Sequence, residues 1–163
     1  MTATEGAESD GARRAREALE ASGIPHTIAR YGPARSLSES AELRGIEPRD
    51  IVKSLVVRRG SGDYVFVLVP GDREISWPKL REHLGVNRLS MPPADKAFKA
   101  TGYERGTITP FGSTTAWPVI VDATAAGRTI SMGAGEHGVG ATVAADDLVR
   151  ALSAEVADVT DPA

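Results

Sequence analysis

Ile51-Val52-Lys53-Ser54-Leu55-Val56-Val57-Arg58-Arg59-Gly60-Ser61-Gly62-Asp63-Tyr64-Val65-Phe66-Val67-Leu68-Val69 is the stretch that decides the fold. Two runs rich in β-branched and aromatic residues, 51–59 and 64–69, flank a Gly-Ser-Gly-Asp turn, which predicts a β-hairpin. Between Ile51 and Val57 Lys53 is the one charge, and strict alternation puts Ile51, Lys53, Leu55 and Val57 on one face. An unpaired ammonium among apolar neighbours is costly, so Lys53 is expected either to line a cleft or meet an anion, or to snorkel to the sheet edge.

Upstream of the hairpin, residues 12–21 have helical composition and are stopped by Gly23 and Pro25. Residues 26–31 read as a short strand. Ser36 or Ser38 can cap a helix ending near Arg44, with Gly45 as its stop. Downstream, Ser76 can cap a helix over 77–84, and Pro92-Pro93 precedes another over 94–100. Residues 118–121, 129–132 and 142–143 read as short strands, and a helix from 144 or 145 to 152 follows. Strands and helices mix without regular βαβ alternation, which predicts a mixed α/β or α+β domain around one sheet or barrel.

Composition bounds the function. The 163 residues suffice for one domain, with 41% hydrophobic and 25% charged residues, as in an average globular protein. No apolar run approaches ~20 residues, so no membrane partner is expected. An acidic start without an apolar core argues against a secretory signal. The absence of cysteine removes disulfides and thiolate chemistry, and it fits a cytoplasmic location. Residues 1–10 and 155–163 carry acids only, so 11–154 holds 19 bases against 16 acids, or +3. That charge permits a tRNA ligand locally but not the field of a general coat protein, and DNA is not expected as a partner. We expect a disordered acidic segment over 1–10, a domain over 11–155 and a flexible tail over 156–163, both ends being dispensable.

Two loops carry the candidate chemistry. Thr101-Gly102-Tyr103-Glu104-Arg105-Gly106-Thr107-Ile108-Thr109-Pro110-Phe111-Gly112 is too punctuated for helix and can turn backbone N–H groups toward a carbonyl or phosphate oxygen. Gly133-Ala134-Gly135-Glu136-His137-Gly138 matches G-x-G-x-x-G, but the extended residues 139–143 that follow do not suit a dinucleotide site. His137 alone among the three histidines has site-like surroundings. No metal-binding spacing is present, so neither a metal nor a cofactor is expected.

Together, a lysine in a Val/Ile strand, Thr-Gly-Tyr-x-x-Gly-x-Ile-x-Pro-x-Gly, the strand Pro118-Val119-Ile120-Val121-Asp122, a glycine loop and the helix start Ala144-Ala145-Asp146-Asp147-Leu148 form a pattern. It resembles the YbaK family of aminoacyl-tRNA deacylases, relatives of the editing domain of bacterial prolyl-tRNA synthetases, over roughly residues 20–155. The resemblance implies a single mixed α/β domain with a bent, barrel-like mixed sheet flanked by helices. It implies an enzyme that hydrolyses the ester of a mischarged aminoacyl-tRNA at its 3′ end, small amino acids such as alanine, cysteine, serine or proline being the ones removed. An aminoacyl-tRNA synthetase is a candidate partner. Lys53, Gly102, Gly106 and Pro110 take the catalytic positions, and Gly112, Gly133, Gly135, His137 and Gly138 line the substrate. Glu136-His137 stands where some relatives carry Lys-Arg. The alternative is a catalytically silent module binding aminoacyl-tRNA or a synthetase.

Overall fold

The computed structural model describes residues 8–163. The hairpin forms as the turn chemistry demands. Strand β2 (Ile51–Gly60) pairs antiparallel with β3 (Asp63–Pro70), with Lys53 opposite Val69 and a register shift between Arg58 and Gly60. Around it a sheet of seven strands assembles in the order β1-β7-β6-β2-β3-β5-β8. The remaining members are β1 (His26–Arg30), β5 (Val119–Asp122), β6 (Thr129–Gly133), β7 (Val139–Ala144) and β8 (Glu155–Ala157). Three pairs are parallel (β2 with β6, β3 with β5, β5 with β8) and three antiparallel, so the sheet is mixed. It ends at β1 and β8 and does not close on itself.

Alternation along β3 separates two cores. Tyr64, Phe66 and Leu68 face a large cluster that includes Val52, Val56, Ile130, Met132 and Leu148. Val65, Val67 and Val69 face a smaller one with Val57, Leu80, Ile120 and Val159. Helices α1 (Asp10–Ser22), α2 (Leu37–Arg44), α3 (Trp77–Leu84), α4 (Ala94–Thr101) and α5 (Ala145–Leu152) flank the sheet. Ser36 and Ser76 accept from the amides of Glu39 and Lys79, and Gly45 and Gly85 end their helices in the left-handed region, as the sequence predicts.

Both ends depart from expectation. Residues 1–7 lie outside the described residues. Within the rest of the segment expected to be disordered, Ser9 caps α1 through the Ala12 amide and Glu8 pairs with Arg16. The stretch expected as a tail is built into the domain. Residues 155–157 form β8, and β9 (Thr160–Pro162) pairs with β4 (Arg73–Ile75) in a small second sheet. Val159 is fully buried, and the Asp122 carboxylate, 1% exposed, accepts from its amide at 3.1 Å. Three-residue strands carry too little pattern to be seen in the sequence, and the buried valine sits alone among polar residues.

Candidate active site

The sheet splits beside β2. Its pairing with β6 runs through Ile51 and Val52 alone, and beyond them the edge has no strand neighbour until the Arg58–Ser90 bridge. A cleft of about 500 Å³ opens in this gap, within the usual size of small-molecule sites. Its walls are the β2 edge, the end of β6, the start of α4 and the tip of the 101–112 loop. Lys53 lies on the cleft, exposed, and among the described residues its ammonium has no hydrogen-bond or ion-pair partner. Its face is the one the alternation gave, shared with Leu55 and Val57 of the smaller core. The charge escapes burial because the sheet opens beside it.

The glycine motif divides by role. Gly106 lines the cleft with Arg105 and Ile108. The amides of Gly106 and Ile108 make no hydrogen bond among the described residues, which leaves both donors available. The two ends of the motif are structural. Gly102 caps α4 at φ 77° and its amide is taken by Phe98 O at 2.7 Å. Gly112, also at φ 77°, packs on the backbone of Arg14. Arg14 of α1 donates to the carbonyls of Gly112 (3.2 Å) and Gly102 (3.0 Å), stapling both ends of the loop. Beneath the staple Tyr103, 1% exposed, donates to Phe111 O at 2.6 Å, and burial pushes its phenol up to about 12. Pro110 is buried and lines neither the cleft nor the hollow beside it, so its part is to fix the loop.

The second glycine loop divides as well. Residues 134–138 turn the β6–β7 hairpin, with Ala134 N donating to Val139 O, so no helix follows as a dinucleotide site would need. Gly133 and Gly138 border the Lys53 cleft. Gly135, at φ 88°, is pressed against α1: a Cβ there would lie 2.2 Å from Gly11 O. His137 is exposed and borders a neighbouring hollow with Gly102 and Gly135, its Nε2 3.6 Å from a Glu104 carboxylate oxygen. The structure therefore gathers Lys53, Gly106, Gly133 and Gly138 into one cleft and leaves Gly102, Pro110, Gly112, Gly135 and His137 behind it.

Several cleft residues escape sequence reasoning. Arg44, at the end of α2, lies over the Tyr31 ring at 4.8 Å and donates to Ser131 Oγ at 2.5 Å. Burial holds its guanidinium below its ordinary value, and its Nε, buried, has no partner among the described residues. Ser54 Oγ is likewise buried and unpartnered on the cleft wall. A helix-terminal arginine and a strand serine carry no signal in one sequence. Met91, Ile108 and Met132 supply apolar wall. Among the described residues no cluster of three His, Asp or Glu side chains is placed to hold a metal.

Among the described residues Glu136 is the one acid lining the cleft, and it is already engaged. The Arg30 guanidinium pairs with it and the Ser9 amide donates to it at 3.1 Å, which holds its carboxyl down at about 2. A carboxylate depressed in the folded state stabilises above its ordinary value near 4.5, and that contribution fades as the pH falls toward 2. Glu136→Gln should therefore unfold at lower urea than the wild type at pH 7, and the gap should narrow below pH 4.5. A gap constant with pH would mean that charge plays no part in anchoring this loop.

Comparison with known proteins follows the same lines. The model of the aminoacyl-tRNA editing domain matches residues 32–151. A proline–tRNA ligase of Thermosipho africanus is 38% identical over 84 residues, 51% of this chain and 15% of that protein. One of Trichlorobacter lovleyi is 33% identical over 88 residues, 54% of this chain and 15% of the other. The chain thus spans about 15% of the length of these curated relatives. Among solved structures, "a putative trans-editing enzyme for prolyl tRNA synthetase" superposes with a TM-score of 0.86 at 27% identity, covering 95% of this chain and 99% of that one. No helix among the described residues is long and apolar enough to cross a membrane.

Proposed function

The chain belongs to the aminoacyl-tRNA editing domain family, and from that premise we propose that it is a free-standing trans-editing deacylase. It hydrolyses the ester between a wrongly attached amino acid and the terminal adenosine of a tRNA. The observation that carries the reading is the partnerless Lys53 ammonium facing a cleft whose loop tip offers the unused amides of Gly106 and Ile108.

An activated ester needs positioning and donors for the oxyanion more than it needs a strong acid. Water adds to the ester carbonyl, and the negative charge that develops on the carbonyl oxygen is met by the loop amides. The C–O bond to the ribose then breaks, and the proton lost by water ends on the departing ribose hydroxyl. A neighbouring ribose hydroxyl of the substrate orients the water, so no protein nucleophile is required. Lys53 places the adenosine end or stabilises the developing charge. Arg44, stacked and half-buried, fixes the opposite wall. Carbonyl activation falls to amides and lysine, and the mechanism needs no metal. The proline–tRNA ligase relatives make a synthetase a candidate partner, and the cytoplasm is where such a substrate is met.

The test is a panel of tRNAs mischarged with alanine, cysteine, serine and proline. Turnover on at least one, with free amino acid and intact tRNA as products, is expected. Binding without ester loss on every member would leave a silent binding module instead.

A further inference from the structure

Behind Met91 and Pro92 the cleft gives onto a second concavity of about 630 Å³. Arg58, Lys96 and Lys99 line it, all exposed, and no carboxylate does. Most arginines elsewhere are neutralised: Arg13, Arg16, Arg59, Arg73 and Arg128 each have an acidic partner. These three have none among the described residues. Lys96 and Lys99 stand three apart on α4 and so share a face. Asp95, four before Lys99, makes no ion pair with it. Arg58 is held in place because its backbone exchanges two hydrogen bonds with Ser90, at 2.8 and 3.2 Å.

The floor is aromatic and fixed. Trp117, partly exposed, donates its indole N–H to Ala100 O at 2.8 Å and meets the Tyr64 ring edge-on at 5.3 Å. A ring locked in this way, flanked by unpaired cations, is the arrangement that takes single-stranded nucleic acid: phosphates on the cations and bases against the ring. α4 separates the two hollows. Ala94 and Ala97 face the cleft, while Lys96, Lys99 and Ala100 face the groove.

We propose that this groove holds the unpaired RNA nucleotides immediately preceding the terminal adenosine, with their phosphates on Arg58, Lys96 and Lys99, and that the strand rounds Met91 and Pro92 into the Lys53 cleft. The proposal rests on the editing reading for what occupies the cleft, yet it can be tested apart from it.

The test variant is Arg58→Ala/Lys96→Ala/Lys99→Ala, and the control is Arg35→Ala/Arg81→Ala, two cations lining neither hollow. The first probe is a fluorescent five-nucleotide RNA ending in CCA, followed by anisotropy across a salt series. Wild type and control should bind it with a log–log salt slope near −2, at ~0.7 per phosphate contact for single strands, and the triple variant should lose most of that slope. The second probe compares a mischarged tRNA with the corresponding aminoacyl-adenosine, which has no upstream phosphates. The triple variant should lose about tenfold or more in kcat/KM on the tRNA, through KM, and less than twofold on the aminoacyl-adenosine. Wild-type affinity and slope in the triple variant, equal loss on both substrates, or equal loss in the control would each overturn the groove. A wild-type protein that binds the RNA but hydrolyses neither substrate would refute editing and leave the groove standing.

Discussion

Lys53→Ala should melt with the wild-type protein yet deacylate at least tenfold more slowly. The two halves of this expected result have separate causes. The ammonium is exposed and partnerless among the described residues, so its removal breaks no contact and leaves no buried ion behind. It also sits where the β6-side edge of β2 has no strand neighbour among the described residues, so that a bound ester would come within reach of it. A tenfold loss is about 1.4 kcal/mol of transition-state stabilisation, modest for a cation meeting a developing oxyanion or a phosphate. Lys53→Arg should recover little, since a planar fork does not replace a compact ammonium in a narrow cleft. Melting temperature and single-turnover deacylation, measured on the same preparations, decide the matter. Normal melting with wild-type turnover would falsify the catalytic role.

Removal of residues 156–163 should lower the melting temperature by roughly 10 °C or more. The sequence marks this stretch as dispensable, whereas the structure builds it into the domain. Full burial of a valine side chain is worth about 1.5–3 kcal/mol, and Val159 is fully buried in the smaller core. The deletion also strips β5 of its outer neighbour and β4 of its only one. It takes the Val159 amide from Asp122, the Thr160 hydroxyl from Arg73, and both Asp158 and Asp161 from Lys79. At about 2–4 °C per kcal/mol for a domain of this size, these losses together exceed 10 °C. Calorimetry of the shortened chain tests the estimate, and an unchanged, cooperative transition would show that the terminal strands merely lie against the body.

What the sequence revealed follows from the range of the forces involved. Helix ends were legible because capping is local: Ser36, Gly45, Ser76 and Gly85 act within a few residues of themselves. The hairpin was legible because its turn and its alternation lie within one window. Lys53 was legible for the same reason, as a charge out of place in an apolar run. The division of labour among the glycines was not. Gly102 and Gly106 look alike in sequence, and only the position of Arg14, almost ninety residues upstream, makes one a staple point and leaves the other a free loop tip. Arg44 and Ser54 became site residues through the split between β2 and β6, a matter of pairing between distant strands.

The contact between Gly11 and Gly135 has a meaning for portability. Each glycine leaves room for the other's carbonyl, and a Cβ on either would stand 2.2 Å from it. One lies in α1, before the stretch matched by the family, while the other lies in a loop inside that stretch. β1, which pairs with β7 along its whole length, also lies outside. An engineer who excised 32–151 for transplantation would carry away the cleft and leave its buttress behind. The recipient scaffold would have to offer a side-chain-free stretch of backbone at the same approach, or the hairpin that borders the cleft would arrive without its backstop.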